Sequence, residues 1–326
     1  MIHLIVKMRE IPIRLQKLEA LLKRLPKDHS LRSQIEEEIL RRWKGYRGEQ
    51  SVDFYLNKLP EKEYMIFHNI RLKNGNYYFQ IDTLILTPFF VLILEVKNIS
   101  GTLYFETTFS QMIQTTQNGE YGYQNPLEQA RQQCEELKKW LDNHNIHIPI
   151  DYFVIISKPT TLLKADAKNS SYFQKIIHVQ YLLSRMEKTK ENYSEKLLNN
   201  KEIKKLTKTI LKEDEPEKFD IFNAYDLTTN DISKGAICPI CSTCPMLFNY
   251  GKWRCVNCGH RDSTAHYEAL TDYFLIYNDT PISNKQFRDF LQLPSSYTAN
   301  RLLTSMQLPH TGENSGRLYY PPKKSK

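Results

Sequence analysis

The chain has 326 residues, with 45 Lys and Arg against 37 Asp and Glu for a formal charge of +8. This length allows two or three domains, and the basic excess fits a polyanionic partner such as nucleic acid. No stretch approaches the ~18 uncharged apolar residues of a membrane span, and the start, MIHLIVKMREIPIRL, has too short an apolar core and too early an arginine for a signal peptide, so the expectation is a soluble, cytoplasmic protein with no membrane attachment.

Residues 10–43 carry the pattern of a helical hairpin. Leu15, Leu18, Leu22 and Leu25 recur at helical spacing, Pro26-Lys27-Asp28 breaks the run, and Leu31, Ile35, Ile39 and Trp43 resume it. Such a hairpin serves packing, or dimerisation and contact with a protein partner. WKGYRGEQSVDFYLNKLP then reads as one further helix with Val52, Tyr55, Leu56 and Leu59 inward. Gly45 and Gly48 weaken its first turn by about 1 kcal/mol each, which suits a close backbone approach. Glu49 follows directly and, taken alone, is explained better as a solvated partner of the helix dipole than as a ligand.

Strand patterns cover Met65 to Leu72, Tyr77 to Thr87, Phe90 to Asn98 and Gly101 to Glu106, with Asn74-Gly75 as a hairpin signal. In the third of these, a period of two puts Val91, Ile93, Glu95 and Lys97 on one side and Phe90, Leu92, Leu94 and Val96 on the other. Ionised groups on so apolar a strand are costly unless paired or bound to a cation. Antiparallel pairing through Thr87-Pro88 brings Asp82 near Glu95 and Lys97, which places two carboxylates and one ammonium at one spot. Hard divalent cations take carboxylates, water and phosphate oxygens, and a nearby lysine orients a water and offsets developing phosphate charge. The constellation suits phosphodiester hydrolysis.

After a polar stretch, QNPLEQARQQCEELKKWL reads as a helix with Asn125 as N-cap, Pro126 at its first position and Glu128 as capping-box partner. Leu127, Ala130, Cys134, Leu137 and Leu141 form its buried stripe, so Cys134 is a core residue, and Gln129 lies beside the stripe. Strands at Tyr152 to Ser157 and Ile176 to Tyr181 complete a mixed α/β (α+β) sheet flanked by helices.

Lys44-Gly45-x-x-Gly48-Glu49, Gln80-Ile81-Asp82, Glu95-Val96-Lys97-Asn98 followed by Gly101, and Asn125-Pro126-Leu127-x-Gln129 occur in this order. Together they resemble the nuclease-related domain (NERD) family of the PD-(D/E)xK nuclease superfamily, over roughly Trp43 to Tyr181. The resemblance implies a restriction-endonuclease-like core in which Asp82 and Glu95 bind Mg²⁺ or Mn²⁺ and Lys97 positions the attacking water. It further implies that Glu49 completes the metal site and that Gln129 contacts substrate or orders the lysine. Ile81 departs from the pattern, standing where the superfamily's name has proline.

From Ser184 to Asp220 the sequence is highly charged. Leu197, Leu198, Ile203, Leu206, Ile210 and Leu211 still allow one or two amphipathic helices, with a boundary near Pro216 or later. Of six cysteines Cys134 stands alone and five fall between Cys238 and Cys258, which points to a metal site in a reducing compartment and not to a disulfide scaffold. Cys238-x-x-Cys241 and Cys255-x-x-Cys258, with 13 residues between them, resemble a zinc ribbon whose two knuckles supply four sulfurs to tetrahedral Zn²⁺. Phe248, Tyr250 and Trp253 belong to its connecting hairpin. Cys241-x-x-Cys244 is a legal alternative pair, and Cys238 with Cys241 is the preferred one.

Three helical patterns follow, around Tyr267, Leu270, Phe274 and Leu275, then Phe287, Phe290 and Leu291, then Tyr297, Arg301, Leu302 and Met306. With LPHTGENSGRLYYPP as a β-wing they resemble a winged helix, in which Ser296, Thr298, Asn300 and Arg301 face DNA. A helical protein-interaction module fits the same pattern. Lys323, Lys324 and Lys326 form a basic tail suited to phosphates. The expected plan is an N-terminal hairpin over residues 1–42, a nuclease-like domain over 43–183, and a charged extension over 184–232. A zinc ribbon over 233–262 and a helical, winged-helix-like domain over 263–326 complete it. The leading function is a Mg²⁺- or Mn²⁺-dependent nuclease acting on DNA, recruited by its zinc-binding C-terminal part. The alternative is a non-catalytic nucleic-acid-binding protein that retains a nuclease fold.

Overall fold

The computed structural model describes residues 4–61, 63–106, 109–165 and 174–322, so the basic tail of Lys323, Lys324 and Lys326 lies outside the described residues. Two compact units form, Met1–Ile11 with Arg42–Glu217, and Pro12–Arg41 with Lys218–Lys326. The grouping differs from the linear plan. Helices of residues 184–217 fold with the nuclease-like sheet, and the hairpin folds with the C-terminal segments. Each unit has its own core, because amphipathic helices bury their stripes wherever an apolar face is offered.

In chain order the elements begin with strand β1 (Ile5–Lys7), helices α1 (Ile13–Arg24) and α2 (Arg32–Leu56), then strands β2 (Met65–Asn74), β3 (Tyr77–Leu86) and β4 (Val91–Lys97). Strands β5 (Thr102–Glu106), β6 (Gln111–Thr116) and β7 (Gly119–Gln124) precede helix α3 (Pro126–Asn143). Strands β8 (Ile150–Ile156), β9 (Leu162–Ala165) and β10 (Ile176–His178) and helices α4 (Leu182–Asn192) and α5 (Asn200–Glu213) complete the first unit.

Its main sheet is mixed, in the order β1-β2-β3-β4-β8-β10. Antiparallel ladders join β2, β3 and β4, and parallel ones join β1 to β2, β4 to β8 and β8 to β10. The period of two in β4 sorts its residues as the sequence predicts. Val91 and Ile93 pack with Leu137, Trp140 and Leu141 of α3 and with Ile203, Leu206 and Ile210 of α5. On the other face, Leu92, Leu94 and Val96 pack with Val52 and Leu56 of α2 and with Leu182 and Met186 of α4. A second sheet, β7-β6-β5-β9, packs Leu103, Phe105 and Met112 against Leu127 and Ala130 at the start of α3. Strands β6 and β7 occupy what reads in the sequence as a polar stretch. Every residue of β7 is exposed, so no apolar alternation marks it.

The second unit begins with α1, whose Leu15, Leu18, Leu21 and Leu25 are buried. Arg24 is wholly buried and donates to Asp272 Oδ2 at 2.9 Å and to the carbonyl of Gly235 at 2.8 Å. A short helix, α6 (Ile221–Tyr225), precedes a three-stranded ribbon of β11 (Leu247–Asn249), β12 (Lys252–Arg254) and β13 (Arg261–Asp262). Trp253, fully buried, donates from Nε1 to His266 Nδ1 at 3.2 Å. Then come α7 (Ala265–Ile276), β14 (Ile282–Ser283), α8 (Asn284–Leu291), α9 (Ser296–Ser305), β15 (His310–Thr311) and β16 (Leu318–Tyr319). Strands β14, β16 and β15 form a small sheet in that order, with β14 antiparallel to β16 and β16 to β15. Among the described residues no helix is long and apolar enough to cross a membrane.

Where the sequence suggests a break between the hairpin and the next helix, α2 runs unbroken for 25 residues through Gly45 and Gly48. The two glycines differ in purpose. A Cβ on Gly48 would stand 2.5 Å from Asn98 Cβ and 3.2 Å from Ser157 Oγ, whereas a Cβ on Gly45 meets nothing within 4 Å. Gly48→Ala is therefore expected to destabilise the first unit by about 1–3 kcal/mol through overpacking. Gly45→Ala should stabilise it by up to about 1 kcal/mol through helix propensity. Paired urea titrations test this, and similar midpoints for the two variants would refute it.

Candidate active site

The site arises where the β3–β4 ladder opens. Pairing runs from Leu86↔Val91 to Thr83↔Leu94 and stops there. One further step of that register sets Asp82 opposite Glu95. Instead, Asp82 Oδ2 accepts the backbone N–H of Val96 at 3.1 Å, so a side-chain oxygen takes the place of a ladder carbonyl. On its other side, β3 pairs with β2 at His68↔Thr83 and Ile70↔Ile81, and Asn69 between them has φ 51°. This left-handed residue shifts the pleat, so that Phe67 and Ile70 face one core despite their odd spacing.

Glu95 is only 2% exposed, and both of its oxygens are bonded. Lys97 Nζ donates to Oε1 at 2.6 Å and Gln133 Nε2 to Oε2 at 2.8 Å. The same ammonium donates to Gln129 Oε1 at 2.9 Å. Gln129 and Gln133 lie one turn apart on α3, which runs antiparallel to β4 over this stretch. The start of α3 is fixed by Asn125, whose Oδ1 accepts the Leu127 N–H at 3.0 Å, and by Pro126. Glu128 does not close the expected capping box, because its carboxylate accepts from Arg131 at 2.8 Å and 3.0 Å. Burial, then the charges of Glu95 and Glu49, hold the Asp82 carboxyl well above its ordinary value, against the Val96 amide and Lys97.

Glu49 reaches the site from α2. Asn98 at the end of β4 lies against Gly48 and donates from Nδ2 to the Lys44 carbonyl at 2.7 Å. Glu49 is held by Arg9, whose Nη1 donates to Oε2 at 2.6 Å. Burial raises its carboxyl above the usual value, Arg9 and Asn69 oppose this, and Glu95 adds to it. Arg9 is 3% exposed and also bonds Asp53 at 3.1 Å, Thr83 Oγ1 at 3.0 Å and His68 Nδ1 at 2.8 Å. Burial, with Arg9 and Lys7, lowers His68 to about 3. The ring is therefore neutral, with its acceptor Nδ1 toward Arg9 and its protonated Nε2 toward Asp53.

The structure thus brings Asp82, Glu95, Lys97 and Gln129 together, with Glu49 electrostatically joined to them. The oxygens of Glu49, Asp82 and Glu95 do not all fall within 4.8 Å of one another, a spacing met among the described residues only by the four-cysteine group. Gln133, Arg9, His68 and Asp53 are absent from the sequence reading. Gln133 had a signal, its position four residues after Gln129. Arg9 had none, since its partners are 40 or more residues away.

In the second unit, Cys238, Cys241, Cys255 and Cys258 converge, with sulfurs 3.4–3.6 Å apart in the close pairs. A tetrahedral ion bound by sulfur at about 2.3 Å sets an S···S edge of about 3.8 Å. Each knuckle turns tightly. Ser242 (φ 56°) donates its N–H to the Cys238 carbonyl at 2.9 Å, and Gly259 (φ 71°) to that of Cys255 at 3.1 Å. Cys244 lies outside the group, its thiol donating to the Lys234 carbonyl at 3.4 Å. The thiol of Cys134, on α3 and packed against the core, is pushed up to about 12 by burial, as suits an inert residue.

A groove of about 750 Å³ lies between α8, α9 and the wing, lined by Lys285, Arg288, Tyr297, Asn300 and Arg317 among others. Ser296, Asn300 and Arg301 are exposed. Thr298 is not free to face a partner as expected, because it is half-buried and its Oγ1 lies 3.0 Å from the N-cap Ser295 Oγ.

Comparison with known proteins agrees with the first unit's geometry. An uncharacterized protein of Bacillus anthracis is 27% identical over 173 residues, which cover 52% of this chain and 77% of that protein. No solved structure matches the chain. Residues 44–157 match the family model of the nuclease-related domain, a span that includes Gly48, Glu49, Asp82, Glu95, Lys97 and Gln129.

Proposed function

We propose that the protein is a Mg²⁺- or Mn²⁺-dependent nuclease that hydrolyses phosphodiester bonds of DNA. The observation that carries this reading is the meeting of Asp82, Glu95 and Lys97 where β3 and β4 part. Two desolvated carboxylates of like charge offer the hard oxygen donors that such a cation takes, and the Asp82 carboxyl, raised first by burial and then by Glu95 and Glu49, marks a site where a cation relieves repulsion. When bound, the ion supplies Lewis-acid polarisation of the phosphate and acidifies a water.

The chain's own groups do the rest. Gln133 and Lys97 fix the Glu95 oxygens, so that Asp82 and Glu95 present a set position to the ion. Lys97 spends two of its three N–H groups on Glu95 and Gln129 and keeps one for the attacking water or a phosphate oxygen. Gln129 orders that lysine. Glu49, held by Arg9, adds negative charge at the back of the metal position. Water adds to phosphorus, the bond to the leaving sugar oxygen breaks, and a proton passes to that oxygen.

Zn²⁺ at Cys238, Cys241, Cys255 and Cys258 has a structural role in this reading, since a closed four-sulfur shell leaves no position for substrate. The winged helix recruits DNA through the groove of Lys285, Arg288, Asn300 and Arg317. A cytoplasmic setting keeps the four thiols reduced and available for metal.

Lys97→Ala is expected to lower kcat on linear DNA with Mg²⁺ or Mn²⁺ by about 10²–10⁴-fold, with zinc content unchanged and the melting temperature lowered, because the buried Glu95 loses its ammonium partner. Cutting at the wild-type rate would reject the mechanism. Elemental analysis should find one zinc per chain, lost in Cys255→Ser and kept in Cys244→Ser, and loss in both would overturn the ligand assignment.

The raised Asp82 carboxyl means that the folded state binds a proton more tightly than the unfolded state does. Ionising Asp82 therefore costs stability as pH climbs from about 4 towards the raised value. In EDTA at pH 8, Asp82→Asn should melt above wild type, by about 2–4 °C per kcal/mol recovered, although it no longer cuts. The gap should close towards pH 4. A variant that melts at or below wild type at pH 8 contradicts a repelled, half-buried Asp82.

A further inference from the structure

Helix α5 carries five lysines, Lys201, Lys204, Lys205, Lys208 and Lys212, all exposed. At 100° per residue they fall within an arc of about 100° and extend over about 17 Å of helix axis. Ile203, Leu206 and Ile210 occupy the opposite side and are buried on the main sheet. An open hollow of about 610 Å³ lies along the stripe, lined by Asn200 and four of the lysines.

Among the described residues nothing neutralises this face by an ion pair, since none of the five ammonium groups has such a partner. The two acids of the helix are engaged elsewhere. Glu202 closes the capping box with Asn199, and Glu213 accepts from Trp140 Nε1 at 2.9 Å and contacts His144 Nε2 at 3.0 Å. Some cations on other helices of the same unit are paired, as Arg131 is with Glu128 and Glu135, and Lys139 with Glu136. Like charges three or four residues apart destabilise a helix by about 0.2–0.5 kcal/mol per pair, so α5 bears a repulsion that its capping box and buried face offset. At its C-terminal end the stripe leads into Asp214, which accepts the Arg71 N–H at 3.0 Å. Arg71 pairs with Gln80, two residues before Asp82.

We propose that this lysine face is a docking track for the sugar-phosphate backbone of double-stranded DNA on the unit that carries Asp82 and Glu95. Unpaired ammoniums in a row contact phosphates without reading sequence and gain affinity by counterion release. No aromatic residue stands on α5, so the face lacks the stacking platforms that hold single strands. The inference rests on the nuclease reading and assigns the surface that presents substrate to it.

The test uses the full chain, in EDTA to prevent cutting, with anisotropy of a labelled linear duplex between about 50 and 200 mM salt. Replacing Lys201, Lys204, Lys205 and Lys208 together by Gln should flatten the log–log salt slope by about 0.9 for each phosphate contact removed, and weaken Kd at least ~10-fold at low salt. Replacing the same four by Arg should restore both, which separates charge from folding. With Mg²⁺, the Gln variant should lose kcat/KM and keep kcat at saturating DNA. Wild-type affinity and slope in the Gln variant would overturn the track, and persistent cutting there would leave the nuclease assignment standing. Unchanged DNA binding with lost retention on phosphatidylserine vesicles would assign the face to a membrane surface and overturn the track as well. A wild-type protein that neither binds nor cuts DNA would reject the track and the nuclease reading together.

Discussion

A carboxylate set in the middle of an apolar strand is the constraint from which the nuclease-related unit follows. Removing an ion of that size from water costs several kcal/mol even after relaxation, and only close partners on every oxygen offset it. Glu95 obtains those partners from Lys97, two residues along its own strand, and from Gln133 on α3. Lys97 in turn needs Gln129. Both glutamines must therefore come from one helix laid antiparallel along β4, with its first turns at the strand's end. The Asn125 cap and Pro126 set where that helix begins, and the second sheet supports its first turn through Leu103, Phe105 and Met112. That small sheet, polar and mostly outside the main core, earns its place as a buttress for α3.

On the far side of Glu95 the balance is left unfinished. Asp82 is brought against Glu95 because the ladder between their strands opens at that step, and Glu49 adds a third negative charge. Arg9 is the counterweight on the α2 side, where it serves Glu49 and Asp53 at once. His68 beside it remains neutral and can accept from the guanidinium instead of repelling it. At Asp82 the Lys97 charge offsets only part of the burial and of the repulsion from Glu95 and Glu49, and its carboxyl stays raised. Stored electrostatic strain of this kind collects at functional sites, and the surrounding fold must hold it in place. Here the holders are the Val96 amide, the left-handed Asn69 and the contact of Gly48 with Asn98.

Much of this was legible in the sequence because it follows from local periodicities. A period of two set Glu95 and Lys97 on one face of β4, and the short Thr87-Pro88 connection set Asp82 opposite them. Helical spacing put Gln129 at the margin of α3. The glycines of α2 were legible as a pair but not individually, since only the fold shows that Gly48 is in contact and Gly45 is not. Arg9 and His68 stayed hidden because their roles depend on long-range pairing of short polar segments. Strands β6 and β7 stayed hidden because a strand exposed to water need not alternate. Nor could linear order show that residues 12–41 build a core with residues beyond 217. The leucines of α1 announce an apolar stripe without naming what covers it, and the buried Arg24 and Asp272 that join it to α7 read on the page as ordinary surface charges.

The charge of the chain gains meaning from how it is distributed. A formal excess of +8 spread evenly would serve solubility alone. Instead Arg131 and Lys139 of α3 are balanced by glutamates one turn away, and Arg9 is consumed inside the fold. Unbalanced cations remain on α5 in the first unit, and Lys285, Arg288 and Arg317 gather beside the groove in the second. Each unit thus buries its structural charges in pairs and leaves a basic surface outside. A nuclease of the kind proposed needs such surfaces, because the attraction that draws a polyanion in must come from somewhere other than Asp82 and Glu95, whose charge repels it.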